Sequence, residues 1–320
     1  MSTTPRPLEG QARPRYAYLG PAGTFTEAAL RQVATPDAAE YLPHPHVVAA
    51  LDSVRDGRAD FAVVAIENSV EGAVTAVLDT LAAGDLVVVR EILVPVSFCL
   101  AARTGTTRAD VRRVAAHPHA WAQCRRWLGA HLPEAAQVPV ASNTVGAQLL
   151  ADPEAQVDFD AALVPPSALE HYRLAVLAEQ VGDNAAAVTR FVVVGHPGRL
   201  PAPTGADKTS LVVHLPDNEA GALLTMLEQF ATRGVNLSRI ESRPIGDELG
   251  RYLFSIDAEG HIAEARMNEA LMGLHRVCPV VRFLGSYPKA DGVANDVRTG
   301  TSGADYAAAR QWVADLRGTR

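Results

Sequence analysis

Apolar and polar positions follow two different rhythms along the chain, and the rhythm changes shortly before residue 208. From Tyr16 to Gly195, short β-branched runs (YAYLG, FAVVAI, DLVVVREIL, VPVSFCLAA, VRRVAA, VPVA, DAALVP and TRFVVVG) alternate with stretches of helical periodicity. That order predicts an α/β architecture with mostly parallel strands. The segment GHPGRLPAPTGAD collects Gly and Pro with almost nothing apolar, so it predicts a linker over 197–207 rather than an element. Beyond it come a strand (TSLVVHL), a helix (EAGALLTMLEQFATRG), two strands (NLSRIESRP, RYLFSIDA), a helix (AEARMNEALMGLHRV) and a strand (VVRFLGS). This is the βαββαβ order of a ferredoxin-like domain, placed at 208–288. Residues 289–320 form a tail, polar at first and closing on the short amphipathic helix ADYAAARQWVADLRG.

Composition narrows the class. With 320 residues and 48% hydrophobic content the chain can bury a substantial core in more than one domain. The net charge is −7 and no basic run marks a nucleic-acid or anionic-membrane surface, so partners of those kinds are not expected. The first 14 residues read as a flexible polar arm without the apolar core of a secretory signal, and no apolar run is long enough to span a bilayer. A cytoplasmic location is the expectation. Cys99, Cys124 and Cys278 have no CxxC spacing and read as buried thiols.

The candidate chemistry lies where strands hand over to helices. In YLGPAGTFTEAAL, Thr24 followed three residues later by Glu27 predicts a capping box, with the Thr hydroxyl accepting from the Glu27 N–H and the Glu27 carboxylate reaching back to the Thr24 N–H. The bare turn GPAG also leaves helix-start N–H groups open to an anion. The pattern recurs at IENSVEG (Asn68, Ser69) after FAVVA, and at ASNTVG (Ser142, Asn143, Thr144) after VPV. In open α/β sheets ligands sit at the carboxyl ends of strands, so these starts predict one cleft for a small anion with hydroxyl groups. Three independent caps would give the same pattern. The pairs His44/His46 and His117/His119 lack the spacing of a zinc site; His117 reads either as a cleft residue or as a satisfied loop histidine. Arg190, inside the apolar run VTRFVVV, requires a counter-charge from the protein or from a ligand carboxylate.

Taken together, GPxGTFTExA, IENSxxG, SNTxxA and TRFxVxG resemble prephenate dehydratase, and Gly221-Ala222-Leu223-Leu224 with Glu241-Ser242-Arg243-Pro244 resemble the GALL and ESRP motifs of the ACT regulatory domain found in that family. The resemblance covers about residues 15–288. It implies a two-lobed catalytic domain over 15–196, similar to a type II periplasmic binding protein, with lobe one at 15–93 and 182–196 and lobe two at 94–181. The activity implied is decarboxylating dehydration of prephenate to phenylpyruvate in phenylalanine biosynthesis, a carbon–oxygen lyase reaction that requires no cofactor and no metal. Thr189 would act at the departing hydroxyl. Thr24, Asn68, Ser69, Ser142, Asn143, Thr144 and Arg190 would surround the substrate. Phenylalanine would bind the ACT domain at Gly221, Ala222, Leu223, Leu224, Asn236 and Glu241–Pro244, at an interface of a homodimer or homotetramer. Two departures stand out: Ala187 occupies a position where the family often has Asn, and Ala220 one where it often has Pro. Arogenate dehydratase and a non-catalytic amino-acid sensor are the other readings these motifs allow.

Overall fold

The structure is a computed structural model that describes residues 13–70, 72–215, 219–244 and 252–318. The expected N-terminal arm falls outside the described residues over positions 1–12, as does Glu71 of the IENSVEG stretch. Contacts divide the chain into two compact units, residues up to Val77 with Ile92–Val193, and Leu78–Glu91 with the chain from Val194 onward. The second unit thus takes in a segment that the sequence reading placed within lobe one.

The first unit opens with β1 (Arg15–Leu19), α1 (Phe25–Arg31), β2 (Glu40–His44), α2 (Val47–Arg55), β3 (Phe61–Asn68) and β4 (Gly72–Ala73). Next, α3 (Thr75–Ala83) and β5 (Val87–Pro95) each run across the division between the units. There follow β6 (Cys99–Ala102), β7 (Arg113–Ala116), α4 (Pro118–Gln123), α5 (Arg125–His131), β8 (Ala136–Pro139), α6 (Asn143–Ala151), β9 (Ala161–Val164), α7 (Ala168–His171), β10 (Ala175–Ala178) and β11 (Val188–Gly195). Two sheets result. The first has the order β2-β1-β3-β11-β5, with β4 on β3, and the second the order β10-β6-β9-β7-β8. In the first sheet β1 runs parallel to β2 and β3, and in the second β7 runs parallel to β8 and β9 while β6 is antiparallel to β9 and β10. The chain leaves the first sheet after Pro95, enters the second at Cys99, and returns between Ala178 and Val188.

Apolar runs such as AALV in β9 are buried at every position, because the second sheet is covered on both faces. Leu100, Val114 and Leu163 face one cluster with Leu128 and Val181, while Ala101, Ala115 and Ala162 face another with Ala147 and Leu150. Small side chains on that second face let α6 settle close to the sheet: a Cβ at Gly146 would lie 3.1 Å from the Ala162 Cβ.

The sequence HAWAQCRRWL predicts one helix, but the structure has two, broken at Cys124. The cause is tertiary. Asp183 donates its N–H to the Gln123 carbonyl (2.7 Å), and its carboxylate accepts from the Arg126 and Trp127 N–H groups at 2.8 and 3.0 Å, capping a second helix start.

In the second unit, β12 (Asp207–His214), α8 (Ala222–Ala231), β13 (Leu237–Pro244), β14 (Tyr252–Glu259), α9 (Ala265–Val277) and β15 (Val280–Pro288) form an antiparallel sheet of order β13-β14-β12-β15 with the predicted βαββαβ succession. One sheet face packs on α8 and α9 through Leu211, Val213, Met226, Phe230, Ile256, Met267 and Leu274. The other face carries buried Ser210, Arg239, Ser255, Asp257 and Tyr287, joined by hydrogen bonds. Leu78–Glu91 also belongs to this unit. Gly285, at φ +131°, lets the backbone of Val88 approach, since a Cβ there would lie 2.1 Å from the Val88 carbonyl oxygen. After β15 the tail is strapped back by Asn295, which donates to the Asp207 carbonyl (2.8 Å), and by Arg266, which donates to the Asp296 carbonyl (3.0 Å). It ends in α10 (Gly303–Leu316), whose start is a capping box of Ser302 and Asp305.

Candidate functional site

The first unit contains a cavity of about 450 Å³. Its walls come from Phe25 and Thr26 at the start of α1, Asn68 at the end of β3, residues 72–76 leading into α3, Val96 and Phe98 where the chain changes sheets, His117, His119 and Gln123 around α4, Asn143 at the start of α6, and Thr189 and Phe191 on β11. Three phenylalanines and several alanines and valines form an apolar container with a few polar groups, the usual build of a small-molecule site. Neither Lys nor Arg is among the lining residues described.

The polar groups are held in defined orientations. Asn68 Nδ2 donates to Thr189 Oγ1 at 2.7 Å, and Asn68 Oδ1 accepts from the Val70 N–H at 2.9 Å, so the loop after β3 fixes which end of the amide meets the threonine. With Asn68 donating to it, the Thr189 oxygen directs its own hydrogen elsewhere. Thr189 is 8% exposed, which makes that O–H a desolvated donor on the cavity wall. Asn143 Oδ1 accepts from the His117 N–H at 2.8 Å, which leaves the amide nitrogen as the end it can present to a ligand. His117 Nδ1 accepts from the His119 N–H at 3.3 Å, capping α4 and placing the proton of a neutral His117 ring on Nε2.

Of the residues singled out from sequence, Asn68, Asn143 and Thr189 therefore line one cavity, and His117 joins them. The others are occupied behind the wall. Thr24 caps α1, its oxygen accepting from the Glu27 N–H (3.2 Å) while its hydroxyl donates to the Leu19 carbonyl (3.0 Å). Ser69 pairs with Val188, its oxygen accepting from the Val188 N–H at 3.0 Å. Ser142 accepts from the Thr144 N–H at 3.3 Å, and Thr144 donates to the Gly23 carbonyl at 3.3 Å. Arg190 faces Glu67 at 3.5 Å, which supplies the counter-charge its buried position requires.

The expected capping box is altered. Glu27 accepts from the Gly23 N–H rather than from that of Thr24, because its carboxylate also serves Arg31 (Nε 3.0 Å, Nη2 2.8 Å) and His171 (3.2 Å). The pair His44/His46 has a structural role: His46 caps α2 by accepting from the Ala49 N–H at 3.1 Å, and burial holds the His44 imidazole below its ordinary pKa, with Arg58 acting in the same direction.

Sequence reasoning missed Gln123, His119, Phe25, Phe98 and residues 72–76 as cavity residues. The signal for Gln123 was its helical spacing from His119, which sets both on one face of α4.

The GALL and ESRP residues lie in the second unit. Gly221 is the N-cap of α8 with φ +92°, a conformation that glycine adopts without steric cost, and Leu223 and Leu224 in the first turn are 41% and 60% exposed. Asn236 accepts from the Glu259 N–H at 2.8 Å, and Glu241–Pro244 close the edge strand β13.

Two α/β sheets joined by two crossings, with an aromatic-lined cavity and oriented amide and hydroxyl donors, define a cleft-type small-molecule site, here followed by a ferredoxin-like domain. The prephenate dehydratase family profile matches residues 16–199, and the chain belongs to that family. The prephenate dehydratase of Amycolatopsis methanolica is 47% identical over 309 residues, covering 95% of this chain and 98% of the relative. That of Mycobacterium tuberculosis strain H37Rv is 50% identical over 283 residues, covering 86% of this chain and 87% of the relative. Among solved structures, prephenate dehydratase from Arthrobacter aurescens in complex with L-Phe is 51% identical with a TM-score of 0.90, covering 95% of this chain and 99% of the other.

Proposed function

We propose that the cavity binds prephenate and converts it to phenylpyruvate, with Thr189 as the catalytic residue. The observation that carries this reading is the hydrogen bond from Asn68 to Thr189 at 2.7 Å in an otherwise apolar wall. In the reaction the bond from the ring to its carboxylate breaks, the electron pair enters the ring, and hydroxide leaves from the opposite carbon. Carbon dioxide and phenylpyruvate result, and a solvent proton completes the water. Aromatisation drives the step, so the protein has chiefly to orient the two leaving groups and stabilise charge on the departing oxygen. A Thr189 hydroxyl already held by Asn68 donates to that oxygen without reorganising. The ring lies against Phe25, Phe98 and Phe191, while Asn143, His117, His119 and Gln123 meet the carboxylates. Thr24, Ser69, Ser142, Thr144 and Arg190 support this wall from behind through the bonds described above. The conversion uses no cofactor.

The second unit, on the same reading, is an ACT domain that binds phenylalanine at the start of α8 and the end of β13. Exposed Leu223, Leu224, Ile240 and Tyr252 surround that region and fit an interface with a second copy, which makes the working form a homodimer or a homotetramer. The domain limits we adopt are 15–196 for catalysis and 208–288 for regulation, and the site of action is the cytoplasm.

The test is a discontinuous assay of the purified protein with prephenate and, separately, arogenate, repeated with added phenylalanine. Prephenate turnover modulated by phenylalanine is the expected result. Preference for arogenate would overturn the substrate assignment, and saturable phenylalanine binding without turnover of either compound would overturn the enzymatic one.

A further inference from the structure

The chain runs between the units within α3 and within β5, and at both places it emerges as cavity wall. Thr75 and Ala76 in the first turn of α3 line the cavity, as do Val96 and Phe98 just beyond β5. Between them, Leu78–Glu91 belongs to the second unit and is fastened there at several points. Near one end, Asp79 accepts from Arg243 Nη2 at 2.9 Å. At the other, Glu91 accepts from Lys208 Nζ at 2.7 Å and from the Ala290 N–H at 2.8 Å. In between, Arg282 donates to the Gly84 carbonyl, and the Val88 backbone lies against Gly285.

We propose that Leu78–Glu91 transmits effector occupancy to the cavity, with Asp79 as the positioning residue that links the ESRP strand to the active-site end of α3. The inference rests on the reading of the β13 end as the phenylalanine site, since Arg243 is one of its residues. Asp79 follows Thr75 by four positions, so it sits one turn above the cavity residue on the same helix face, about 6 Å along the axis. A ligand that draws Arg243 toward itself releases or tightens its grip on Asp79, and a rigid helix of two and a half turns carries that change to Thr75. The two fastenings differ in kind. Glu91 has a side chain only 2% exposed and holds β5 as a fixed anchor. The Asp79 side chain is 52% exposed and that of Arg243 25%, so their pair contributes little to folding and is free to respond to a ligand.

The experiment compares the parent protein with Asp79→Asn and Asp79→Ala. Prephenate turnover is measured across a phenylalanine titration, and the phenylalanine Kd is measured by calorimetry with and without saturating phenylpyruvate in the substrate site. Binding linkage is reciprocal, so the ratio of those two Kd values is the coupling factor between the sites, typically about 5- to 150-fold in allosteric proteins. We expect kcat and KM without phenylalanine to stay within about twofold of the parent, and the coupling factor to fall at least threefold toward unity in both variants. An altered phenylalanine Kd with the parent's coupling factor would overturn the inference, because Asp79 would then only shape the effector pocket. An unchanged response in both variants beside a responsive parent would overturn the inference alone. A parent that neither binds nor responds to phenylalanine would overturn the regulatory reading and this inference with it.

Discussion

Replacing Thr189 by Val keeps the shape of the side chain and removes its one hydroxyl. That oxygen accepts from Asn68 Nδ2 at 2.7 Å on the wall of the cavity, where its own hydrogen is free of that bond, so two losses follow. A preorganised donor at developing charge contributes about 3 kcal/mol to the barrier difference, which converts to a fall in kcat of about 100- to 200-fold. KM for prephenate should change less than threefold, since the bond strengthens as charge builds on the leaving oxygen. The second loss is structural: the half-buried Asn68 amide loses this hydrogen bond, at a cost of about 1 kcal/mol in stability. Thr189→Ser restores the oxygen and should recover most of both. Turnover is read from phenylpyruvate formation at saturating prephenate, and stability from urea denaturation of the same preparations. A Val variant within fivefold of the parent in kcat, with stability intact, would show that the hydroxyl takes no part in the chemistry.

Gly23→Ala should destabilise the protein by about 2–5 kcal/mol, because the glycine has φ +90° and an added Cβ would lie 2.8 Å from the Ala168 Cα; urea denaturation within 1 kcal/mol of the parent would contradict this. Burial pushes the Cys124 thiol up to about 12, with Asp183 adding to it, and raises Cys99 and Cys278, so a chromogenic disulfide reagent at pH 8 should label no thiol of the native protein within minutes, whereas stoichiometric labelling would refute the burial. The Arg15 guanidinium bonded to Asp60 holds that carboxyl below the ordinary aspartate value, so its contribution is complete above about pH 4 and is lost as pH falls through the lowered value. Asp60→Asn should therefore flatten the acid limb of stability measured between pH 5 and pH 3, and an unchanged slope would remove Asp60 from the acid response.

The strands were legible where β-branched runs are long, as in FAVVAIEN, and hidden where they are short or broken by proline. EYLPH of β2 has a half-exposed pattern and a proline, and AVLA of β10 is four residues within a loop-rich stretch. The break at Cys124 was out of reach because its cause, Asp183, lies far along the chain and nothing local to HAWAQCRRWL announces it. For the candidate site, residue type was legible and direction was not. Thr24 and Ser142 sit at N-cap positions, where a short hydroxyl finds an orphan backbone N–H before it can reach a ligand. Asn68 and Asn143 occupy comparable handover positions, yet an amide has two ends. Each uses its oxygen to hold the chain, at the Val70 and His117 N–H groups, and turns its nitrogen to other work. At the strand-to-helix handovers, that difference sorts the candidate residues into wall (Asn68, Asn143) and support (Thr24, Ser69, Ser142, Thr144), whereas Thr189 reaches the wall from within β11.

The turn GPAG and the helix start after it hold the second sheet's helices rather than the substrate itself. The Gly23 carbonyl accepts from Ser167 Oγ at 2.8 Å and from Thr144 Oγ1 at 3.3 Å, both from elements of the second sheet's layer, and its N–H donates to Glu27. Glu27 is 3% exposed, a burial a lone carboxylate would not tolerate, and it is offset by donors from Gly23 and Arg31. Arg31 extends the joint to Glu170 at 2.8 Å. The two residues after Thr24 are Phe25 and Thr26, both cavity wall. One short stretch therefore ties the two sheets together and supplies Phe25 and Thr26 to the cavity wall. The anion-binding capacity of this helix start is taken up by an internal carboxylate, Glu27, which is consistent with the proposal that amides and histidines on the opposite walls meet the substrate's carboxylates. The absence of Lys and Arg from the described lining fits the function proposed above, in which a dianion would meet oriented dipoles that stabilise its carboxylates without competing for the hydroxide leaving beside Thr189.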